Sequence, residues 1–328
     1  MIARAAGALR RFFFTDVDPF VLGIYRAALG GYLILFYVML APSWLLYYGP
    51  GGITPVVASG GGGSLLLSPL FWHVQSRAVM WALYGVSLGC AVLLAIGAWW
   101  RIALVWLWYM NLTLLFSNPY VVNGEEQVMG VLLLFSLFLP LGASFTWRQL
   151  ARADGRRAML TASARVPVWS LRALQLQLLL VYLASVPAKL SDPAWRDGTL
   201  VYYAMMATDY PRWPGLEIFA WGNAALSRIL TGYSLAVEML VPFLIWFRRL
   251  RLPCVAAALA LHAGMAVLIE GVMMFNLAMM VGLILFLPGQ RTRLWMARRL
   301  AVVSGPPATA ESRSRRPRRP RSSGCGRG

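Results

Sequence analysis

The sequence predicts an all-α protein, a polytopic bundle of about eight transmembrane helices with both termini in the cytoplasm. Hydrophobic side chains make up 59% of the 328 residues, and charged side chains only 13%. Soluble proteins have about 25% charged residues. Apolar runs near or above about 18 residues, the length that suggests a membrane span, recur along the chain. The basic residues concentrate in alternate loops, as expected of a chain that crosses a membrane repeatedly.

The apolar runs divide the chain into candidate spans. A third span follows Arg101 and ends near Ser117, and the other seven cover approximately residues 19–41, 77–99, 127–141, 168–189, 229–247, 253–269 and 272–287. Gly85 and Gly89 in the second span predict a close helix contact. The organisation that we expect is an N-terminal cytoplasmic segment, a transmembrane domain and a basic, mostly disordered cytoplasmic tail, at residues 1–18, 19–289 and 290–328.

The charge distribution predicts the orientation of the spans. The formal net charge is +18, and basic residues fall at the N-terminus, at Arg101, in 148–165, in 248–251 and in the tail. Because cytoplasmic loops carry the excess of basic residues, these segments are predicted to be cytoplasmic. The loop 118–126 and the segment 191–227 then lie near the extracytoplasmic face. The arginine-rich tail favours a topology anchor attracted to anionic lipid over a nucleic-acid site, so membrane lipids are expected partners and nucleic acid is not.

Lys189 is the single lysine among 30 basic residues, and it ends the mostly apolar run 178–188. An arginine stays charged, whereas a lysine ammonium can lose its proton when desolvated and then act as a base. Two other interpretations remain open at this point: a chance position, and a lysine that extends from a helix end into the interface.

A polar stripe precedes this lysine on the fifth span. Gln175, Tyr182 and Lys189 recur every seven residues, and Ser185 lies four residues before Lys189, so these side chains share one helix face. Pro187 lacks an amide hydrogen and bends the helix near the lysine. The stripe predicts a polar cavity; the alternative is a seam packed against another helix.

Glu238 and His262 are ionisable residues in the middle of the sixth and seventh spans. Such residues are costly in lipid and mark functional sites by default. Alternatively, Glu238 pairs with Arg26 or Arg228 as a structural contact, and His262 is a hydrogen-bonded core histidine. The two histidines are far apart and no cysteine cluster accompanies them, so we expect no metal site.

Several motifs in a fixed order carry a family resemblance over roughly residues 16–288. They are Asp18-Pro19, Tyr25-Arg26, Tyr48-Gly49-Pro50-Gly51-Gly52, Asn123-Gly124, Val166-Pro167-Val168-Trp169, Tyr182, Lys189-Leu190, Trp195, Gly198, Tyr202-Tyr203, His262 and Phe275. With these motifs the chain resembles the HTTM (horizontally transferred transmembrane) family. The members of this family are bacterial relatives of the membrane part of vitamin K-dependent gamma-glutamyl carboxylase. The resemblance therefore implies a multi-pass protein of the bacterial cytoplasmic (inner) membrane.

The resemblance also implies a chemistry. In the carboxylase, the lysine of the corresponding Lys-Leu block is implicated as the base that deprotonates reduced vitamin K, a role that falls here on Lys189. A reduced, vitamin K-like quinone is the implied cofactor. Glu125 stands where the carboxylase has a functional histidine. We therefore expect Glu125 and His262 to support Lys189 as acid/base or hydrogen-bonding groups.

The expected binding residues surround the lysine: they are Tyr182, Ser185, Trp195 and Glu238. An alternative function also follows from the resemblance, because relatives include proteins needed to mature or export a secreted peptide. The chain would then be a non-enzymatic membrane component with a secreted peptide or protein as its partner. A bundle that serves only as a scaffold is a third interpretation.

Overall fold

The computed structural model describes residues 2–53, 76–118, 121, 123–152, 154–155, 160, 165–207, 212–213 and 223–303. Within these residues the regular structure is helical, apart from one isolated antiparallel bridge between Val17 and Val166. The predicted all-α class is confirmed. Short 3₁₀ turns at Ala41–Ser43, Leu141–Ala143 and Ile284–Phe286 connect some of the helices.

The α-helices of the described residues are numbered in chain order. The first seven are α1 (Ile2–Phe14), α2 (Phe20–Leu40), α3 (Trp44–Tyr48), α4 (Arg77–Ile96), α5 (Trp100–Ser117), α6 (Gly124–Ser136) and α7 (Trp147–Ala151). The next seven are α8 (Trp169–Ser191), α9 (Pro193–Arg196), α10 (Leu200–Met206), α11 (Ala224–Leu244), α12 (Arg251–Leu268), α13 (Met273–Leu283) and α14 (Gly289–Val303).

Five helical segments are long and apolar enough to cross a membrane. They are Phe20–Tyr48, Arg77–Ile96, Trp169–Ser191, Ala224–Leu244 and Arg251–Leu268. The number rises to seven if each of two bent helix pairs counts as one span. The helix α5 coincides with the predicted third span but lies outside this set. A multi-pass membrane bundle is thus confirmed, with five to seven candidate spans.

The two bent pairs coincide with the predicted fourth and eighth spans. The axis turns by 68° between Gly124–Ser136 and Leu141–Ala151, and by 94° between Met273–Phe286 and Gly289–Arg299. Pro140 and Pro288 lie at these breaks. Because proline has no amide hydrogen and its ring clashes with the preceding turn, it favours a kink or a break in the helix at each position.

Arg26 is fully buried in α2 and binds the last turn of α4. Its guanidinium donates to the carbonyls of Leu94 (2.6 Å), Ala95 (3.0 Å) and Phe145 (2.7 Å). Helix C-termini leave such carbonyls without amide partners, and a cation compensates their partial negative charge. Gly97 follows with φ of 75°, and a Cβ there would lie 2.3 Å from the guanidinium. Glycine is therefore required at this cap.

Close packing between α2 and α4 depends on Gly30. A Cβ on Gly30 would lie 2.4 Å from the backbone nitrogen of Ala95, so only glycine permits this approach. The close contact predicted at Gly85 and Gly89 is wrong for the described residues, because the space beside each is open. The two glycines share one face of α4, but that face is turned away from the bundle.

Helices α6, α8, α11, α12 and α13 pack side by side and surround the residues discussed below. Their inner faces join one apolar cluster that includes Leu178, Val241, Leu261 and Met279. Large apolar side chains on their outer faces remain exposed, as Ile229, Leu240 and Phe243 of α11 illustrate. Such a surface is typical of a protein whose solvent is the bilayer.

The final helix, α14, packs against the start of α2. Arg293 is buried, and its guanidinium donates to Asp18 Oδ2 (2.8 Å) and to the carbonyl of Leu160 (3.0 Å). The first part of the predicted tail is therefore an ordered helix. The disorder predicted from about residue 304 onward falls on residues outside those that the structure describes.

Candidate functional site

The lone lysine forms a salt bridge with the glutamate in the middle of α11. Nζ of Lys189 contacts Oε2 of Glu238, and the two side chains are only 18% and 8% exposed. The alternative pairing of Glu238 with Arg26 or Arg228 is wrong. Arg26 is occupied by the backbone carbonyls of Leu94 and Phe145. Lys189 and Glu238, which both stood out in the sequence, are thus direct partners.

The ion pair lies at different heights on its two helices. Lys189 is two residues from the end of α8, whereas Glu238 is fourteen residues into α11, about 21 Å along that helix. The first half of α11 therefore extends beyond the end of α8. The helices α9 and α10 pack against this extension, so the pair lies within the bundle.

Ser185 adds a second contact to the carboxylate of Glu238. Its hydroxyl oxygen lies 2.7 Å from Glu238 Oε2 and also 2.7 Å from the carbonyl of Tyr182. The single hydroxyl hydrogen can serve either acceptor. Both contacts to Glu238 fall on Oε2, and within the described ranges no hydrogen bond reaches Oε1. That oxygen is available to accept a hydrogen bond from a ligand.

Trp195 covers the ammonium of Lys189 with its ring. The Nζ atom lies 4.5 Å from the ring centroid, a cation–π geometry. A tight turn brings the ring back: the Asp192 side chain accepts from the amide of Ala194 (2.8 Å) and caps the short helix α9. Pro193 occupies the first position of α9, where its missing amide hydrogen costs nothing. The sequence between lysine and tryptophan therefore encodes the turn that joins them.

Gly198 lets the chain return to α11 after this turn. Its φ is 75°, and a Cβ there would lie 2.8 Å from Cγ of Arg228. Ser227 donates to the Gly198 carbonyl (3.0 Å) and accepts from the amide of Tyr202 (3.0 Å). The Lys-Leu, Trp and Gly positions of the family block thus form one structural unit that holds α9 and α10 on α11.

His262 joins the cluster through Tyr182 and is held by Asn276. The Asn276 amide nitrogen donates to the carbonyl of Val272 (2.7 Å), so its Oδ1 faces Nδ1 of His262 (2.7 Å). Since Oδ1 can only accept, Nδ1 carries a hydrogen. In neutral imidazole, Nε2 is then the acceptor for the hydroxyl of Tyr182, which lies 2.7 Å away. The asparagine therefore determines which histidine nitrogen faces the site.

Prolines interrupt the backbone of both helices at the ion pair. Pro187 lies inside α8 and Pro242 inside α11. Each removes the amide that would bond the carbonyl four residues earlier, which is that of Leu183 in α8 and of Glu238 itself in α11. Two backbone carbonyls near the pair thus lack their helical donors, which adds hydrogen-bond acceptors to an apolar environment.

Gln175 and Glu125, also selected from the sequence, lie away from the ion pair. Gln175 donates to the carbonyl of Leu285 (2.7 Å) and accepts from Arg172 (2.8 Å), so it forms a seam near the other end of α8. Glu125 opens α6, beside Gly124, which packs on Phe275. No hydrogen bond or ion pair among the described residues joins Glu125 to Lys189 or Glu238. Of the polar stripe on α8, Gln175 belongs to this seam, whereas Tyr182, Ser185 and Lys189 join the polar cluster around Glu238.

Asn276 is the member of the cluster that sequence reasoning missed. It is fully buried in α13, an otherwise apolar helix. A buried amide in a membrane segment needs hydrogen-bond partners, so its position in an apolar span was a usable signal. Its partner could not be identified from the sequence, since fourteen residues and a turn separate it from His262.

The arrangement can exchange protons and orient hydroxyl groups. It contains an amine, a carboxylate, a phenol and an imidazole, linked through Ser185 and shielded by the bundle. Across the described residues, no group of three or more His, Cys, Asp or Glu side chains could hold a metal ion. The chemistry available from these side chains is general acid–base chemistry.

Comparison with known proteins assigns the family. The model of the HTTM domain matches residues 68–290, which include all of the site described above. The chain is 33% identical over 119 residues to "Uncharacterized protein YitO" of Bacillus subtilis (strain 168); the match covers 36% of this chain and 37% of that protein. No solved structure matches. From the family match, which covers most of its length, the chain belongs to the HTTM-domain family.

Proposed function

We propose that this chain is a membrane enzyme that removes a proton from a reduced quinone, with Lys189 as the general base. One observation carries the proposal: the single lysine of the chain is paired with Glu238 inside a largely buried polar cluster. A purely structural cation at this position could be an arginine, which the chain uses everywhere else. A base must be able to give up its proton, and among the two only lysine does so readily.

The groups around Lys189 suit a flat ring that carries hydroxyl groups. The Lys189 side chain keeps 18% of its surface exposed, so it is not sealed off from a ligand. Trp195 offers an aromatic face beside it, and Oε1 of Glu238 can accept a hydrogen bond. When bound, a reduced quinone supplies an oxidisable aromatic diol. The pair first exchanges a proton: Lys189 passes its ammonium proton to the carboxylate of Glu238. The amine that results takes the hydroxyl proton of the quinol, and the ring of Trp195 stabilises the ammonium that forms again.

Tyr182 and His262 are the supporting groups in this proposal. The Tyr182 hydroxyl donates to Nε2 of the neutral His262, so the pair can hold or pass on one proton while Asn276 keeps the ring in place. Glu125 is a supporting residue by family resemblance alone. It would act from the first turn of α6, a helix that packs against α8 and α13.

We further propose eight spans, with α5 as the additional one, and cytoplasmic termini in the bacterial inner membrane. The alternation of basic loops supports this orientation and places the end of α8 that carries Lys189 toward the extracytoplasmic side. Cysteine labelling tests it, with Cys90, Cys254 and Cys325 first replaced by serine. In intact cells an impermeant maleimide should label Thr199→Cys but not Arg249→Cys. The reverse pattern would contradict the orientation.

The enzymatic proposal is tested by Lys189→Arg. The variant keeps the positive charge and the partner Glu238 but removes the group that can lose a proton. Dissolved oxygen oxidises the deprotonated quinol to the quinone and is itself reduced to hydrogen peroxide, so oxygen uptake by purified protein with reduced menaquinone reports the proton removal. This uptake is expected to fall by about 100-fold or more, since a general base contributes about 10²–10⁴-fold. The melting temperature should stay close to that of the wild type.

The matched control is Arg212→Lys, which makes the opposite exchange in the ion pair of Arg212 with Glu270 (3.9 Å). This variant should keep wild-type oxygen uptake. Full activity of Lys189→Arg would contradict the proposal. A wild-type protein that takes up no oxygen with any reduced quinone would do the same.

A non-enzymatic role in maturation or export of a secreted peptide is the second candidate. Exposed aromatic side chains support it: Tyr203 is 60% exposed and Trp213 is 55% exposed. Such rings are common anchors for peptides. Under this candidate, Lys189→Arg would leave secretion of the peptide unchanged, whereas Tyr203→Ser with Trp213→Ser would reduce it. A gene for a small secreted peptide beside this one would favour the same candidate.

A further inference from the structure

A cavity lined by arginines lies at the opposite end of α8 from Lys189. It has a volume of about 280 Å³ and is bounded by the start of α2, the first half of α8, the turn before α12 and the start of α14. Six of its lining residues are arginines: Arg165, Arg172, Arg248, Arg251, Arg291 and Arg293. We call this space the arginine cavity.

The positive charge of the arginine cavity is largely uncompensated. Asp18 is the only carboxylate among the lining residues, and it is engaged by Arg293 at 2.8 Å. Five guanidinium groups then face the cavity without a carboxylate, and the charges of Arg172 and Arg251 are close enough to repel each other. Like charges held together in a partly dry space are costly unless an anion joins them.

The inner arginines of the cavity are held in place by the protein. Arg172 donates to the carbonyl of Phe12 (3.3 Å) and to Gln175 Oε1 (2.8 Å), and its guanidinium stacks on Phe12 at 4.8 Å. Arg251 donates to the carbonyl of Ile245 (3.4 Å). These contacts use only some of the five N–H groups of each guanidinium, so the remaining N–H groups can bind a ligand. A pre-positioned guanidinium loses little entropy on binding, which favours a built site over a diffuse basic surface.

The outer arginines of the cavity have exposed side chains. Arg165, Arg248 and Arg291 are exposed, and within the described part of the chain none of them makes a hydrogen bond or ion pair. A half-buried set of cations with an exposed rim of the same charge is suited to bind a small anion. The volume is just below the usual range for small-molecule pockets, which suits a single small group and not a nucleic-acid strand.

We propose that the arginine cavity binds a phosphate group, carried either by an anionic phospholipid headgroup or by a small soluble phosphorylated molecule. The planar guanidinium fork matches phosphate oxygens in pairs, which the ammonium of a lysine cannot do. Basic pockets between transmembrane helices on the cytoplasmic side are suited to lipid headgroups. This site is separate from the proposed enzymatic one, because Arg172 and Lys189 are seventeen residues, or about 25 Å, apart along α8.

Two arginine double variants of the full-length protein test the proposal. Arg248→Gln with Arg291→Gln removes two rim charges that make no described contacts. The matched control, Arg249→Gln with Arg298→Gln, removes two exposed arginines from the same turn and the same helix that do not line the cavity. Each protein is purified in neutral detergent, and its melting temperature is measured against inorganic pyrophosphate and against phosphatidylglycerol added to phosphatidylcholine vesicles.

We expect at least one of the two probes to raise the melting temperature of the wild type and of the control variant. For the cavity variant the apparent affinity should fall at least about tenfold, because each charge-assisted hydrogen bond contributes that much or more. A response to pyrophosphate assigns a soluble phosphate; a response to phosphatidylglycerol alone assigns a lipid headgroup.

Two outcomes would overturn the proposal: a wild type that responds to neither probe, and equal losses in the two double variants. The second result would show that total charge and not the cavity is responsible. If the cavity variant fails to fold, Arg165→Gln replaces it, since Arg165 is also an exposed lining residue. In that case an unchanged affinity for both probes would overturn the proposal.

Discussion

The two ends of α8 place positive charge among helices in opposite ways. At one end, Lys189 meets Glu238 and the ring of Trp195, so its charge is balanced within the protein. At the other end, Arg172 and Arg251 face a cavity in which Asp18 alone supplies negative charge. A balanced cation needs no ligand, and removing its partner is costly. An unbalanced cluster costs stability until an external anion arrives, which is the behaviour expected of the proposed phosphate site.

The largest effect is expected from breaking the balanced pair. Lys189→Ala leaves the carboxylate of Glu238 without its cation in a site where that side chain is only 8% exposed. Removing one partner of a buried pair costs about 3–5 kcal/mol. Thermal or denaturant unfolding in detergent measures this loss. The double variant Lys189→Ala with Glu238→Ala should recover most of it, and additive losses would contradict a direct pairing.

A smaller effect is expected from removing the amide that orients His262. Asn276→Leu leaves the Nδ1 hydrogen of His262 without an acceptor, which should cost about 1–3 kcal/mol. Loss of such an orienting partner is also expected to lower quinol-dependent oxygen uptake by about 10-fold to 100-fold, by analogy with the partners that orient metal-binding histidines.

The control for this prediction is Asn111→Leu. Asn111 is equally buried, but it donates to the carbonyl of Glu126 on another helix. Its loss should reduce stability to a similar extent and leave the activity per folded molecule unchanged. Equal loss of activity in both variants would mean that Asn276 acts only through stability.

The smallest effect, with the opposite sign, is expected at the unbalanced end. In delipidated protein without phosphate, Arg248→Gln should raise stability at low salt by about 0.5 kcal/mol, because it relieves repulsion between like charges. The gain should vanish in high salt, which screens exposed charges. A melting-temperature series in sodium chloride measures both. A loss of stability at low salt would show that the arginine cavity is balanced after all.

Much of the fold was predictable because hydrophobic length reports directly on membrane helices. The predicted span at residues 168–189 is the helix Trp169–Ser191, and the span at 253–269 is Arg251–Leu268. Apolar length was less informative where a helix ends at a proline. Residues 127–141 were predicted to form one span, but the helix ends at Ser136, before Pro140. The following segment, Leu141–Ala151, is turned by 68°. Hydropathy does not record a change of direction.

The ionisable residues of the candidate site were also predictable from the sequence, but their contacts were not. Lys189, Glu238 and His262 stood out because ionisable residues are expensive in an apolar span. Which of these residues pair with each other was not predictable, since a pairing depends on how each helix is rotated against its neighbour. The sequence therefore allowed Glu238 to pair with Arg26, whereas Arg26 binds the end of α4.

By itself, the sequence determined the class, the approximate spans and the residues that carry charge into them, because each of these follows from local composition and period. The tertiary structure decided which of those charges meet. It placed Lys189 on Glu238 and oriented His262 through Asn276, and it gathered six arginines from distant segments around one cavity. The physical reason is that a contact between helices depends on their rotation, height and bends, which arise only when all the faces pack together.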